Sequence, residues 1–175
     1  RLICYMRTGR ALYQCISDDD GVTWTPPAAQ QFGIIDVYDP TPWRKFFEDT
    51  PDLPGYDRDM HGTFVDPNVI ELKNGVLVCA FGLRITEKLC WVNPRHERNG
   101  NYLAFSLDHG ATWSHIVQLT TGIMTTHYMN ILELKPNLLH VLYDCHGRWE
   151  DGYWDGIKGR YTASRKISLD FNLEK

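Results

Sequence analysis

Apolar and polar positions along the chain fall into short runs of strand length, separated by Gly, Pro, Asp and Asn. Such spacing predicts β-strands and turns. The first seven residues read as a strand, 11–16 as the next, and 24–31 as an outer strand. Residues 36–61 break the rhythm: Asp39-Pro40-Thr41-Pro42, Thr50-Pro51 and Leu53-Pro54-Gly55 are turn and loop signals, so this stretch is expected to be an inserted loop. Strands resume at 62–72, at 75–83 (rich in Val, Cys and Phe), at 101–105 and at 115–119. A last unit covers 128–134, 138–143 and 160–169. The expected grouping is three strands, then four, then three.

Two of these strands end in the same octapeptide. Ser17-Asp18-Asp19-Asp20-Gly21-Val22-Thr23-Trp24 and Ser106-Leu107-Asp108-His109-Gly110-Ala111-Thr112-Trp113 share the pattern S-x-D-x-G-x-T-W. The residue types suit a tight hairpin turn. An Asp carboxylate can accept from backbone N–H groups, Gly permits positive φ, the Ser and Thr hydroxyls close local bonds, and the Trp is expected to pack beneath the turn. Ser17, Asp19, Gly21, Thr23 and Trp24, with Ser106, Asp108, Gly110, Thr112 and Trp113, are therefore assigned a structural role. The two serines are 106 − 17 = 89 residues apart, against roughly 40–50 for one repeat of the larger β-sheet repeat architectures. Either a degenerate repeat lies between them or one repeat carries a long insertion, and the insertion is favoured because the residues between supply only one full set of strands.

The octapeptide is similar to the Asp box of the sialidase superfamily, where it joins the third and fourth strands of propeller blades. The resemblance implies an all-β fold: a partial six-bladed β-propeller of sialidase type, about two and a half to three blades, each a four-stranded antiparallel sheet. The whole of 1–175 is then one partial domain. Residues 1–31 end one blade with box 17–24, 32–61 form the inserted loop, 62–120 form a second blade with box 106–113, and 121–175 form an incomplete third. A six-bladed ring needs roughly twice this length, so a fragment, or a half-ring completed by another copy or chain, is expected.

Because a blade's chain reverses at every turn, ligand groups are expected on the rim away from the boxes. That rim would hold Arg7 to Arg10, 36–61, 84–101, 125–128 and 145–160, which carry Trp43, Trp91, Trp149 and Trp154 alongside Arg7, Arg10, Arg58, Arg84, Arg95, Arg98 and Arg148. Aromatic faces and bidentate guanidinium groups suit a sugar carboxylate. Long loops that pack on each other with Trp as filler account for the same composition.

The resemblance to the C-terminal half of sialidases extends to single residues. Arg98 stands eight residues ahead of Ser106, as one carboxylate-binding arginine of the family does. Arg10 stands seven ahead of Ser17, with Arg7 in competition for that part. Tyr128, in Thr125-Thr126-His127-Tyr128-Met129-Asn130-Ile131-Leu132, is similar to the strand that opens with the catalytic tyrosine, although Met129 replaces the family's serine. Tyr128 is accordingly the candidate nucleophile, with Arg98, Arg10, Arg7, Arg84 and Trp149 as substrate-binding candidates. A phenol avoids the like-charge repulsion that a carboxylate nucleophile would meet at a carbon bearing a carboxylate. No F/Y-R-I-P motif is present, so this chain is expected to lack part of the active site.

Composition narrows the partners. The net charge of −4, without a long Lys/Arg cluster, argues against nucleic acid, and no apolar run approaches the ~20 residues of a membrane span. Carbohydrate is the expected partner, with no cofactor and no metal. The five cysteines have no CxxC spacing, and Cys4 and Cys79 read as small buried hydrophobes. Asp59, His61 and Asp66 are acids or bases near the loop without a distinguishing pattern, and the polar stretch 144–155 reads as an exposed loop. The sialidase resemblance implies a secreted or periplasmic protein. Two rival functions remain: a non-catalytic propeller binding glycan or protein through Trp43, Trp149 and Trp154, and a propeller glycosidase of another sugar specificity.

Overall fold

A computed structural model describes residues 1–8, 11–30, 32, 39, 41, 44–45, 61–86, 90, 96–121, 127–145, 153–154, 157–158 and 161–171. The fold is all-β, built from antiparallel sheets. The first sheet is β1 (Leu2–Arg7), β2 (Leu12–Ser17) and β3 (Ala28–Gln30), in that order. The second is β4 (Thr63–Glu71), β5 (Leu77–Arg84), β6 (Gly100–Ser106) and β7 (Ser114–Gln118). The third places β9 (Leu138–Cys145) between β8 (Met129–Lys135) and β12 (Tyr161–Ser168). The three-four-three grouping is therefore present. A two-residue pair, β10 (Tyr153–Trp154) with β11 (Ile157–Lys158), adds structure where an irregular loop was expected.

The second sheet lies between the other two, and its sequence shows why. Along β5, Leu77, Cys79, Phe81 and Leu83 pack toward the first sheet with Leu12, Phe32, Phe64 and Trp113. The alternate residues Val78 and Ala80 pack toward the third with Ile131, Leu139 and Val141. A strand covered on both faces must be apolar at every position, whereas β9 alternates buried and half-buried residues. Phe32 and Phe81 stack at 4.2 Å in the first core, and burying each such ring contributes roughly 1.5–3 kcal/mol.

β4 carries Pro67, which forms no backbone hydrogen bond as a donor. It is tolerated because β4 is an edge strand and its register breaks between Val65 and Asn68. At this bulge β4 meets β8. The Asp66 carboxylate accepts from Met129 N–H at 3.1 Å, the Asn68 amide oxygen accepts from Ile131 N–H at 3.4 Å, and Asn74 Nδ2 donates to Asn137 Oδ1 at 3.2 Å. Each pair is 63 residues apart, so the β4–β5 and β8–β9 hairpins run side by side in the same direction.

Both octapeptides form one hydrogen-bonded turn. In the first, Ser17 Oγ donates to Asp19 Oδ1 and accepts from Gly21 N–H, both at 2.8 Å, while Asp19 accepts from Thr23 N–H at 2.8 Å and from Thr23 Oγ1 at 2.5 Å. The second repeats the set with Ser106, Asp108, Gly110 and Thr112. Their tryptophans differ. Trp113 is 8% exposed and stands edge-on to Tyr5 and Phe32 of the neighbouring unit, whereas Trp24 is 43% exposed and donates to its own turn at Gly21 O. Trp24 is thus less buried than expected, because no element among the described residues covers the outer face of the first sheet. For the same reason Cys4, expected to be buried, is exposed, while Cys79 is fully buried.

Candidate functional site

Alternating strand direction sorts the turns into two ends. The octapeptides share one end with the 72–76 and 136–137 turns. At the other end lie the close of β1, the start of β4, the 85–99 connection, the start of β8 and the close of β9. Arg7 is the last residue of β1, Arg84 the last of β5, Arg98 precedes β6, and Tyr128 immediately precedes β8. All four sit at the end opposite the octapeptides. Arg10 and Trp149 lie outside the described residues, as do Trp43, Trp91, Arg148, Asp59 and most of the inserted loop.

Arg98 is exposed on a rigid support. Its N–H donates to His96 Nδ1 at 3.1 Å and its carbonyl accepts from the Tyr102 hydroxyl at 2.6 Å. Next to it, fully buried Asn99 accepts from Ile85 N–H at 3.1 Å and donates to Cys90 O at 3.4 Å, joining both sides of the connection. Gln118 Nε2 donates to Glu97 O at 2.7 Å and to Thr120 O at 2.9 Å. These bonds hold the backbone of residue 98 while its side chain is exposed.

Arg84 stands differently. It is 9% exposed, at the close of a wholly buried strand. Its position at the correct end follows the expectation, but its side chain belongs to the interior more than to an open surface.

Tyr128 is 49% exposed, between fully buried His127 and nearly buried Met129. It pairs with Asp144 across the β8–β9 ladder. Asp144 N–H donates to Tyr128 O at 3.3 Å, and Tyr128 N–H donates to Asp144 Oδ1 at 3.2 Å. Arg98 and Tyr128 share this end without a hydrogen bond between them, so a ligand carboxylate reaching both would have to bridge the space. Asp66, weighed as an acid on sequence grounds, is committed to Met129 N–H.

No family model matches the chain, and no curated protein matches it. The site is therefore judged by its own chemistry.

The described clefts at the octapeptide end lack that chemistry. One of about 440 Å³ is lined by Arg1, Ile3, Glu71, Leu77 and His109, and Arg1 there is already bonded to Asp18 at 2.7 Å. The Asp19 and Asp108 carboxyls are held down to a pKa of about 2, first by the Thr23 and Thr112 hydroxyls and then by the same residues' N–H groups. Near neutral pH they are ionised acceptors that close turns, not proton donors. Among the described residues no three His, Cys, Asp or Glu side chains gather to hold a metal ion.

Sequence reasoning missed the acceptors behind Tyr128 and the Asn99 clamp. One signal was present: Gly82 interrupts the apolar run of β5, and an isolated Gly within a strand marks a close approach of other backbone. A Cβ there would lie 2.1 Å from His127 Cβ and 2.8 Å from His127 O.

Proposed function

We propose that the chain is part of a six-bladed sialidase-type β-propeller, and that the intact protein is an exo-α-sialidase-like glycoside hydrolase acting on terminal acidic sugars of glycans. The observation that carries this reading is that exposed Arg98, exposed Arg7 and half-exposed Tyr128 all stand at strand ends opposite both S-x-D-x-G-x-T-W turns. Parallel side-by-side packing of β4 and β8, the first strands of successive sheets, supports the propeller. In this reading Arg98 and Arg7 bind the sugar carboxylate through bidentate, charge-assisted hydrogen bonds. The Tyr128 phenol gives its proton to a general base as its oxygen attacks the anomeric carbon, forming a glycosyl-enzyme bond while the aglycone leaves with a proton from a general acid; water then attacks the same carbon, restoring the phenol and releasing the sugar.

Hydrolysis of a fluorogenic sialoside by the intact protein tests the reading. Tyr128→Phe removes the nucleophile and is expected to lower kcat by at least about 10³-fold. Arg98→Ala removes charge-assisted bonds of about 1.5–3 kcal/mol, or roughly 10–100-fold in kcat/KM. Full activity in both variants would end the sialidase assignment. Saturable binding of a sialyl-oligosaccharide without turnover would instead favour a non-catalytic glycan-binding propeller.

A further inference from the structure

Tyr128 begins a strand at the end of a connection, a place where a side chain ordinarily inherits the motion of the loop. Its backbone is nonetheless fixed from three directions. His127, at φ 66, lies against the bare Cα of Gly82, where no side chain would fit. The Tyr128 N–H is taken by the Asp144 carboxylate at 3.2 Å, from β9. The next N–H, that of Met129, is taken by the Asp66 carboxylate at 3.1 Å, from β4 of the neighbouring sheet, with Asp66 itself at φ 50 in the bulge before Pro67.

Successive N–H groups of an extended strand point to opposite sides. Two acceptors on consecutive residues must therefore come from opposite flanks, and here they come from two different sheets. Solvent could satisfy an N–H at a half-exposed residue, so burial does not demand a carboxylate at Tyr128. What the carboxylates add is a fixed pivot for a ring that remains open to a ligand.

We infer that Asp144 and Asp66 are positioning residues for Tyr128, clamping its backbone from the β9 and β4 sides so that the phenol is presented in one direction. As a statement about catalysis this rests on Tyr128 being the nucleophile of the proposed hydrolase. As a statement about structure it stands on the hydrogen bonds alone. Misplacing a reacting group by about 1 Å costs on the order of 10²-fold in rate while substrate contacts are kept.

Two measurements on the full chain and the intact enzyme separate these parts. In amide exchange followed by NMR, Asp144→Ala is expected to accelerate Tyr128 N–H exchange by at least about tenfold while β5 amides stay protected, and Asp144→Asn, which keeps an acceptor oxygen, is expected to retain protection. In sialoside hydrolysis, Asp144→Ala and Asp66→Ala are expected to lower kcat by about 10–100-fold with KM within about threefold, and the Asn variants to restore it. Should Asp144→Ala fail to fold, Asp144→Ser, whose hydroxyl is too short to reach, makes the same comparison with Asp144→Asn. Unchanged Tyr128 exchange in the Ala or Ser variant overturns the clamp. Altered exchange with no sialoside turnover by the wild type keeps the clamp and removes the hydrolase reading. Equal loss of kcat in Ala and Asn variants would show that the acceptor oxygen is not what matters, and also overturns the inference.

Discussion

The Tyr102 hydroxyl donates a 2.6 Å hydrogen bond to the carbonyl of Arg98, so the strand that follows the candidate arginine also holds it in place. Tyr102 is nearly buried and stacks on Phe81 with ring centroids 5.6 Å apart, and burial raises its pKa, keeping the hydroxyl protonated as a donor. Tyr102→Phe preserves the stacking and deletes the bond. Stability is expected to fall by about 0.5–1.5 kcal/mol in urea unfolding, with weaker binding of any ligand that Arg98 contacts.

Asn99 is a stronger test of the same connection. Asn99→Ala leaves the Ile85 N–H without its acceptor inside the protein. A loss of about 1–3 kcal/mol is expected from the urea midpoint, more than for Tyr102→Phe because the orphaned group is buried.

Acid should unfasten the octapeptide turns. Asp19 and Asp108 titrate at about 2, below their ordinary 3.8. A folded value below the unfolded one confers stability that is complete above about pH 4 and lost as pH falls toward 2. Thermal unfolding between these pH values is expected to show a steeper loss for the wild type than for the Asp19→Asn, Asp108→Asn double variant. Parallel profiles would refute the assignment.

Gly82→Ala probes the contact beneath Tyr128. The added methyl meets backbone and Cβ of His127, neither of which can rotate away, so about 1–3 kcal/mol of overpacking is expected, together with shifted Tyr128 and Met129 amide resonances. Gly75→Ala is the control. Its Cβ meets nothing within 4 Å but its φ is +86, so about 1 kcal/mol of backbone strain is expected, with the resonances of residues 128 and 129 unmoved.

The strands were legible because their apolar content reports burial directly. The run 75–83, rich in Val, Cys and Phe, reads as a strand, which the structure then covers on both faces, and the S-x-D-x-G-x-T-W turns carry their own bonds within eight residues. Which end Arg7, Arg98 and Tyr128 occupy followed from chain reversal alone. Arg84 did not follow, since nothing local distinguishes a buried final residue of β5 from an exposed one. Asp66 and Asp144 were illegible for another reason. Their acceptors face N–H groups on other strands, and a left-handed Asp66 beside Pro67 becomes visible only when β4 is set against β8.

Because each octapeptide seals its own hairpin by bonds among Ser, Asp, Gly and Thr, these fastenings draw on no residue of the opposite end. Connections at the opposite end can lengthen, shorten or exchange residues without disturbing the fastenings that keep strands in register. Such a frame permits new recognition surfaces to be written on one rim while the other is copied unchanged.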